Sequence, residues 1–144
     1  MIKYFYIIGK QGRTRLSRYY ENVPLKSRTA LESDVHRNIL TRTKDQCLFF
    51  NYQDYKIVYR RYSSLFVILA VDEEENEVAS LEFIQLFIET LNKYFEGVNE
   101  MDILYNLEKI HIILDEMIVN GYILETNMAK ILQPIQIMDK VSKR

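Results

Sequence analysis

The chain has 144 residues, 48% of them hydrophobic and 27% charged, with four glycines, two prolines and a formal net charge of −1. That is enough apolar material for one sizeable core, and it excludes a collagen-like repeat, a low-complexity arm or a long linker, so residues 1–144 are expected to form a single domain. The longest apolar runs, such as Leu65 to Val71, fall far short of the roughly 20 residues that span a bilayer. The aromatic-rich N-terminal run has no small-residue cleavage site after it, and the lone Cys47 has no partner for a disulfide or a metal site. A cytosolic protein with Cys47 packed inertly in a strand is expected.

Residues 1–8 mix β-branched and aromatic side chains, Gly9-Lys10-Gln11-Gly12 supplies a turn, and Arg13 to Tyr19 alternates, which predicts a β-hairpin. Pro24 ends it. Leu31, Val35 and Ile39 then recur at intervals of four, the stripe of a short amphipathic helix from about Ser27 to Thr41. Three strands follow, Gln46 to Tyr52, Tyr55 to Tyr62 and Leu65 to Asp72, parted by the short breaks Gln53-Asp54 and Ser63-Ser64. The last is apolar at nearly every position, the pattern of a strand buried on both faces.

After the acidic stretch Asp72 to Glu77 the period becomes helical. Leu81, Ile84, Ile88, Leu91 and Phe95 form one stripe and Phe83, Phe87 and Tyr94 a second. A helix apolar on two sides must be covered on two sides, here by the sheet and by a further surface. Gly97 is expected to stop it, a second helix to run from Glu100 to Val119 and end at Asn120-Gly121, and a third to start near Asn127 with a kink or break at Pro134. The order β-β-α-β-β-β-α-α-α describes an α+β domain, a five-stranded antiparallel sheet flanked by helices.

The even net charge hides an asymmetry. Residues 1–61 carry 13 Lys/Arg against 5 Asp/Glu, and residues 62–144 carry 6 against 15. Such a split either reports a ligand of defined sign on one face or is neutralised within the fold.

No phosphate loop is present, because Gly9-Lys10-Gln11-Gly12 lacks the Gly-Lys-Ser/Thr ending. His111 and Asp115 are four apart on a helix, but two ligands do not make a metal site, and no base is placed to activate Cys47 or a serine. No catalysis, cofactor or metal is therefore expected. The eleven tyrosines alternate as a sheet core does rather than as stacking platforms, so nucleic acid is not expected as a partner. Arg13 and Arg15, two apart on a strand, are expected to share a face, and with Arg18 they offer a positive patch beside apolar surface. That pairing suits a short peptide with an acid ahead of bulky aliphatics.

Several separated stretches, Arg13-Thr14-Arg15-Leu16, Tyr59-Arg60-Arg61-Tyr62, Leu81-Glu82-Phe83-Ile84 with Leu91-Asn92-Lys93-Tyr94-Phe95, and Ile113-Leu114-Asp115-Glu116-Met117, fall in order along essentially the whole chain. Together they resemble the sigma, or small, subunits of heterotetrameric clathrin-adaptor-type complexes. The resemblance implies a longin-like fold, no catalysis and no cofactor. It also implies seating against the N-terminal helical solenoid of a large adaptin subunit, in a core with a medium subunit and a second large subunit, peripheral on Golgi, trans-Golgi network or coated-vesicle membranes. By the same resemblance, Arg15 would hold the acid of an acidic dileucine cargo peptide, and Ser63, Leu65, Ile88, Val98 and Ile103 would line its leucine pockets. The rival is a free-standing longin-type trafficking regulator or GTPase-associated scaffold; as a SNARE head it would need heptads and an anchor after the domain, which the sequence to Arg144 does not show.

Overall fold

The computed structural model describes residues 1–42, 48–123 and 125–142. Cys47 and the beginning of the strand expected from Gln46 lie outside the described residues. The chain divides into two compact units, Met1–Ile84 and Gln85–Arg144.

The first unit contains β1 (Ile2–Gly9), β2 (Thr14–Tyr19), α1 (Leu25–Leu40), β3 (Phe49–Tyr52), β4 (Tyr55–Tyr62), β5 (Leu65–Val71) and the start of α2 (Glu77–Phe95). The strands form one sheet in the order β2-β1-β5-β4-β3, antiparallel throughout. Strand β5, the last in sequence, is therefore central, and all seven of its residues are buried, as its unbroken apolar run requires. The two breaks are two-residue hairpin loops, with Gln53 and Ser63 in the left-handed region at φ 54° and 53°.

On one face Tyr4, Tyr6, Ile8, Ile57 and Ile68 gather with Val35 and Ile39 of α1 in a buried cluster. The tyrosines bring polar ends into it, and these are paired: the Tyr4 and Tyr55 hydroxyls are 2.7 Å apart, those of Tyr6 and Tyr19 2.8 Å. Burial pushes the Tyr4 and Tyr6 hydroxyls well above the usual phenol range and Tyr19 up to about 12. Helix α1 starts two residues before the expected Ser27, directly after Pro24. Helix α2 is capped by Asn76, whose Oδ1 accepts from the N–H groups of Val78 and Ala79.

The second unit holds the rest of α2, α3 (Glu100–Tyr105), α4 (Leu107–Met117), a hairpin of β6 (Ile118–Val119) and β7 (Tyr122–Ile123), and α5 (Met128–Ser142). The Gly97 N–H donates to the Asn92 carbonyl at 3.1 Å, the six-to-one bond of a Schellman end. Glu96, at φ 56°, takes the left-handed position just before the glycine.

The helix expected over Glu100–Val119 is two helices. Asn99 and Asp102 form a reciprocal capping box that starts α3, and Asn106, at φ −130°, breaks the run. Asn120-Gly121 does not merely end a helix. With φ 52° and 86° the pair makes the two-residue turn between β6 and β7, the geometry Asn-Gly favours most. Helix α5 continues through Pro134; the carbonyl that loses its usual donor belongs to Lys130, an exposed residue. At one side of the unit the Tyr94 hydroxyl donates to Asp139 at 2.5 Å and Lys109 pairs with Asp139 at 3.1 Å, tying α2, α4 and α5.

The two stripes of α2 are largely buried within the chain. Phe83, Ile84, Phe87, Ile88 and Leu91 are covered, and Leu81, Tyr94 and Phe95 are half-covered. The two-sided pattern thus does not call for a second polypeptide on this helix. The open apolar side chains lie elsewhere: Met101, Leu104 and Tyr105 on α3, Val119, Tyr122 and Ile123 in the hairpin, and Ile137, Met138 and Val141 on α5.

Candidate functional site

Of the six residues expected to read a sorting peptide, three belong to the first unit. Arg15 lies on β2, half-buried, and Ser63 and Leu65 flank the tight turn from β4 to β5. Because β1 pairs with both β2 and β5, and Gly9 stands opposite Leu65, the sheet brings this turn and Arg15 to the same end. The expectation that Arg13 and Arg15 share a face is corrected by a β-bulge. Ile7 pairs with Leu16 but Ile8 with Thr14, so Arg15 is the extra residue and the two-residue alternation is interrupted beside it. Arg13 precedes the strand, in the turn, and is exposed.

The other three belong to the second unit. Ile88 is on α2, Val98 follows the end of that helix, and Ile103 is on α3. The Asn92 side chain, Oδ1 to the Val98 N–H at 2.9 Å, fixes the turn that carries Val98. Leu65, Ile88, Val98 and Ile103 retain 1%, 5%, 6% and 2% of their surface. All four are apolar and covered by the chain itself, so a leucine side chain must displace something to reach them.

The first unit also carries two hollows that the sequence did not announce. One of about 670 Å³ lies beside α1 and the β3–β4 turn, where Lys3 pairs with Glu21 at 2.9 Å and Asp34 accepts from the Tyr52 hydroxyl. Desolvation, with the Asp34 bond, pushes that tyrosine up. Four of this hollow's charged residues are paired with one another, Lys3 with Glu21 and Arg37 with Asp34. The second, of about 300 Å³, is lined by Ile39, Leu40, Leu48, Tyr59 and Phe66 with Arg42 and Arg61.

Among the described residues no three His, Cys, Asp or Glu side chains gather closely enough for a metal ion. None of their helices is long and apolar enough to cross a membrane.

The fold is α+β with a central β5, and the residues expected at the site are apolar apart from Ser63 and the arginine on β2. The model of the clathrin adaptor complex small chain family matches residues 1–142, and the chain belongs to that family. More particularly, it is 52% identical over 143 residues to the AP-4 complex subunit sigma-1 of Homo sapiens, covering 99% of both chains. It is also 52% identical over 139 residues to the AP-4 complex subunit sigma of Arabidopsis thaliana, covering 96% of this chain and 97% of that one. In structure it matches a chain of a homology model of the full-length AP-3 complex in a stretched open conformation. There the TM-score is 0.77 at 28% identity, with 99% of this chain and 96% of that one covered.

Proposed function

We propose that the chain is the small, non-catalytic subunit of a heterotetrameric adaptor complex in vesicle-mediated protein transport, of the AP-4 type. The observation that carries this reading is 52% identity to AP-4 sigma subunits across nearly the full length of both chains. The partners are two large adaptin subunits and a medium subunit, with the chain seated on the helical solenoid of one large subunit and peripheral on Golgi or trans-Golgi network membranes. The open apolar side chains of the second unit supply contact material for such a partner, since obligate interfaces resemble a core cut in half.

Within this reading Arg15 receives the acid of an acidic dileucine peptide, and Ser63, Leu65, Ile88, Val98 and Ile103 form the leucine pockets. Burying two leucines contributes about 3–6 kcal/mol before ordering costs, against about 1 for a partly exposed arginine contact. The pockets then set affinity, and Arg15 sets register.

Purification of the tagged chain from cells, followed by identification of what accompanies it, tests the assembly. Two large adaptins and a medium chain are expected, and their consistent absence overturns the reading. For the peptide site, an acidic dileucine peptide is titrated into the assembled core carrying wild-type chain or Ile88→Asp. The variant is expected to bind at least about tenfold more weakly; equal affinity removes the pocket assignment.

A further inference from the structure

One end of the sheet in the first unit gathers exposed cations, with the Glu32 carboxylate met there only through the Thr14 hydroxyl at 3.1 Å. Residues 1–20 and 55–71, which supply β1, β2, β4 and β5, contain eight Lys/Arg and no Asp or Glu. The register places one of them, Arg61, at this end. Thr14, Ile8, Phe66 and Arg61 stand in one row across β2, β1, β5 and β4. At the usual strand spacing that row is about 14 Å long. Lys10 and Arg13 sit in the turn beyond it, and Lys10, Arg13 and Arg61 are all exposed. Among the described residues none of the three is paired with an acidic side chain.

The turn that presents Lys10 and Arg13 is pinned on several sides. The Gly9 N–H donates to the Arg13 carbonyl at 2.9 Å, and the Lys10 N–H donates to the Ser64 carbonyl at 3.0 Å. His36, from α1, donates Nε2–H to the Lys10 carbonyl at 3.1 Å. Gly12, at φ +94°, lets the turn close on that imidazole, because a Cβ there would meet Nδ1 at 3.2 Å. The backbone that carries Lys10 and Arg13 is thus held in place rather than on a loose loop. At the same end the hollow of about 300 Å³ opens between Arg42 and Arg61, and Leu40, 52% exposed, stands at its rim.

We infer that this end of the sheet rests directly on an anionic lipid surface. Lys10 and Arg13 come from the β1–β2 turn and Arg61 from β4, which β5 separates from β1, so the charges are set apart and match several headgroups better than one carboxylate. An open aliphatic side chain among basic ones is the combination a lipid interface accepts. The inference deepens the proposed function, on which it rests for its setting at a membrane. It adds that the small chain itself touches the bilayer.

The full chain is floated with phosphatidylcholine vesicles with and without phosphatidylserine. Wild type is expected on the anionic vesicles alone, with binding that falls as salt rises. Each cation contributes about fivefold, so Lys10→Glu/Arg13→Glu/Arg61→Glu loses at least about 100-fold. The charge-matched control Lys93→Glu/Lys130→Glu/Lys140→Glu stays within a few-fold of wild type, with circular dichroism confirming the fold of both. If the first triple does not fold, Lys10→Ala/Arg13→Ala, confined to the exposed turn, is read in its place, with a loss of about 20-fold. Equal losses in test and control, no loss in either, or capture of a free acidic peptide by these cations with vesicles ignored would each overturn the inference. Since no partner subunit is present, failure here leaves the co-purification result untouched, and failure there leaves this one readable.

Discussion

The two units hide their apolar side chains to different degrees. In Met1–Ile84 the described large hydrophobics left open are Leu25, Leu40 and Val78; in Gln85–Arg144 nine are open, spread over α3, the β6–β7 hairpin and α5. The first unit closes its sheet over paired tyrosine hydroxyls and shows the outside world cations, whereas the second shows it grease. Burial is therefore finished in one part of the chain and unfinished in the other. A monomer rarely leaves large contiguous apolar surface to water without a partner to take it.

Truncation inside the finished unit should cost most. Ile68→Ala, at a fully buried position of β5, is expected to destabilise the chain by about 2–5 kcal/mol in urea unfolding. A value below 1 would mean the sheet core is looser than its burial states. In the unfinished unit, Tyr105→Ser/Tyr122→Ser, at positions 78% and 56% exposed, should leave thermal unfolding nearly unchanged. The same pair should reduce recovery of the large subunit in co-purification at least about tenfold. Normal recovery would show that the open residues of α3 and the hairpin do not form the partner surface.

A finer cut goes to the tyrosine pairs. Tyr4→Phe removes one member of the 2.7 Å hydroxyl pair and leaves Tyr55 without its partner, for an expected loss of about 1–2 kcal/mol. Tyr62→Phe, on a half-buried residue outside the buried cluster, serves as the comparison and should cost less.

The smallest effect belongs to the Tyr94–Asp139–Lys109 tie. Hydrogen bonding to Tyr94 first and to Asp139 second holds the Lys109 ammonium above its ordinary value of 10.5. A raised lysine stabilises fully below the unfolded value, and that contribution fades as pH climbs through the folded one. Wild type should therefore exceed Lys109→Met by under about 1 kcal/mol near neutrality, a figure already discounted for partial exposure. The two melting curves should converge above about pH 10.5. A gap that persists there would assign the effect to packing of the lysine stem.

The strands of the sheet were readable in order, with ends shifted by a residue at β2 and β5. β4 spans Tyr55–Tyr62 as its alternation required, and both two-residue breaks fall where the strands turn. Local pattern failed where a residue type serves two purposes. Asn120-Gly121 suits a helix end and a hairpin turn alike, and only pairing of Ile118 with Ile123 decides between them. Asn106 interrupts an apolar period that runs on undisturbed in sequence, because the capping box at Asn99 begins a helix of its own.

The candidate site was legible in kind but not in arrangement. Leu65, Ile88, Val98 and Ile103 read as apolar, and they are, but nothing local tells a pocket wall from ordinary core. The bulge that displaces Arg15 from the alternation of β2 follows from pairing with β1. The nearness of Lys10 to the β4–β5 turn follows from β5 lying next to β1, a pairing between segments some sixty residues apart that no window along the chain contains.

That same central position of β5 governs how the protein is born. On the ribosome β1 emerges with only β2 to pair with, and its other edge stays bare until residues 65–71 leave the exit tunnel. Closing so distant a contact is slow, and an unpaired apolar edge is an invitation to aggregate in the meantime. A nascent chain stalled ahead of Leu65 would hold two hairpins, β1–β2 and β3–β4, without the strand that joins them, the species that a holding chaperone would be expected to meet.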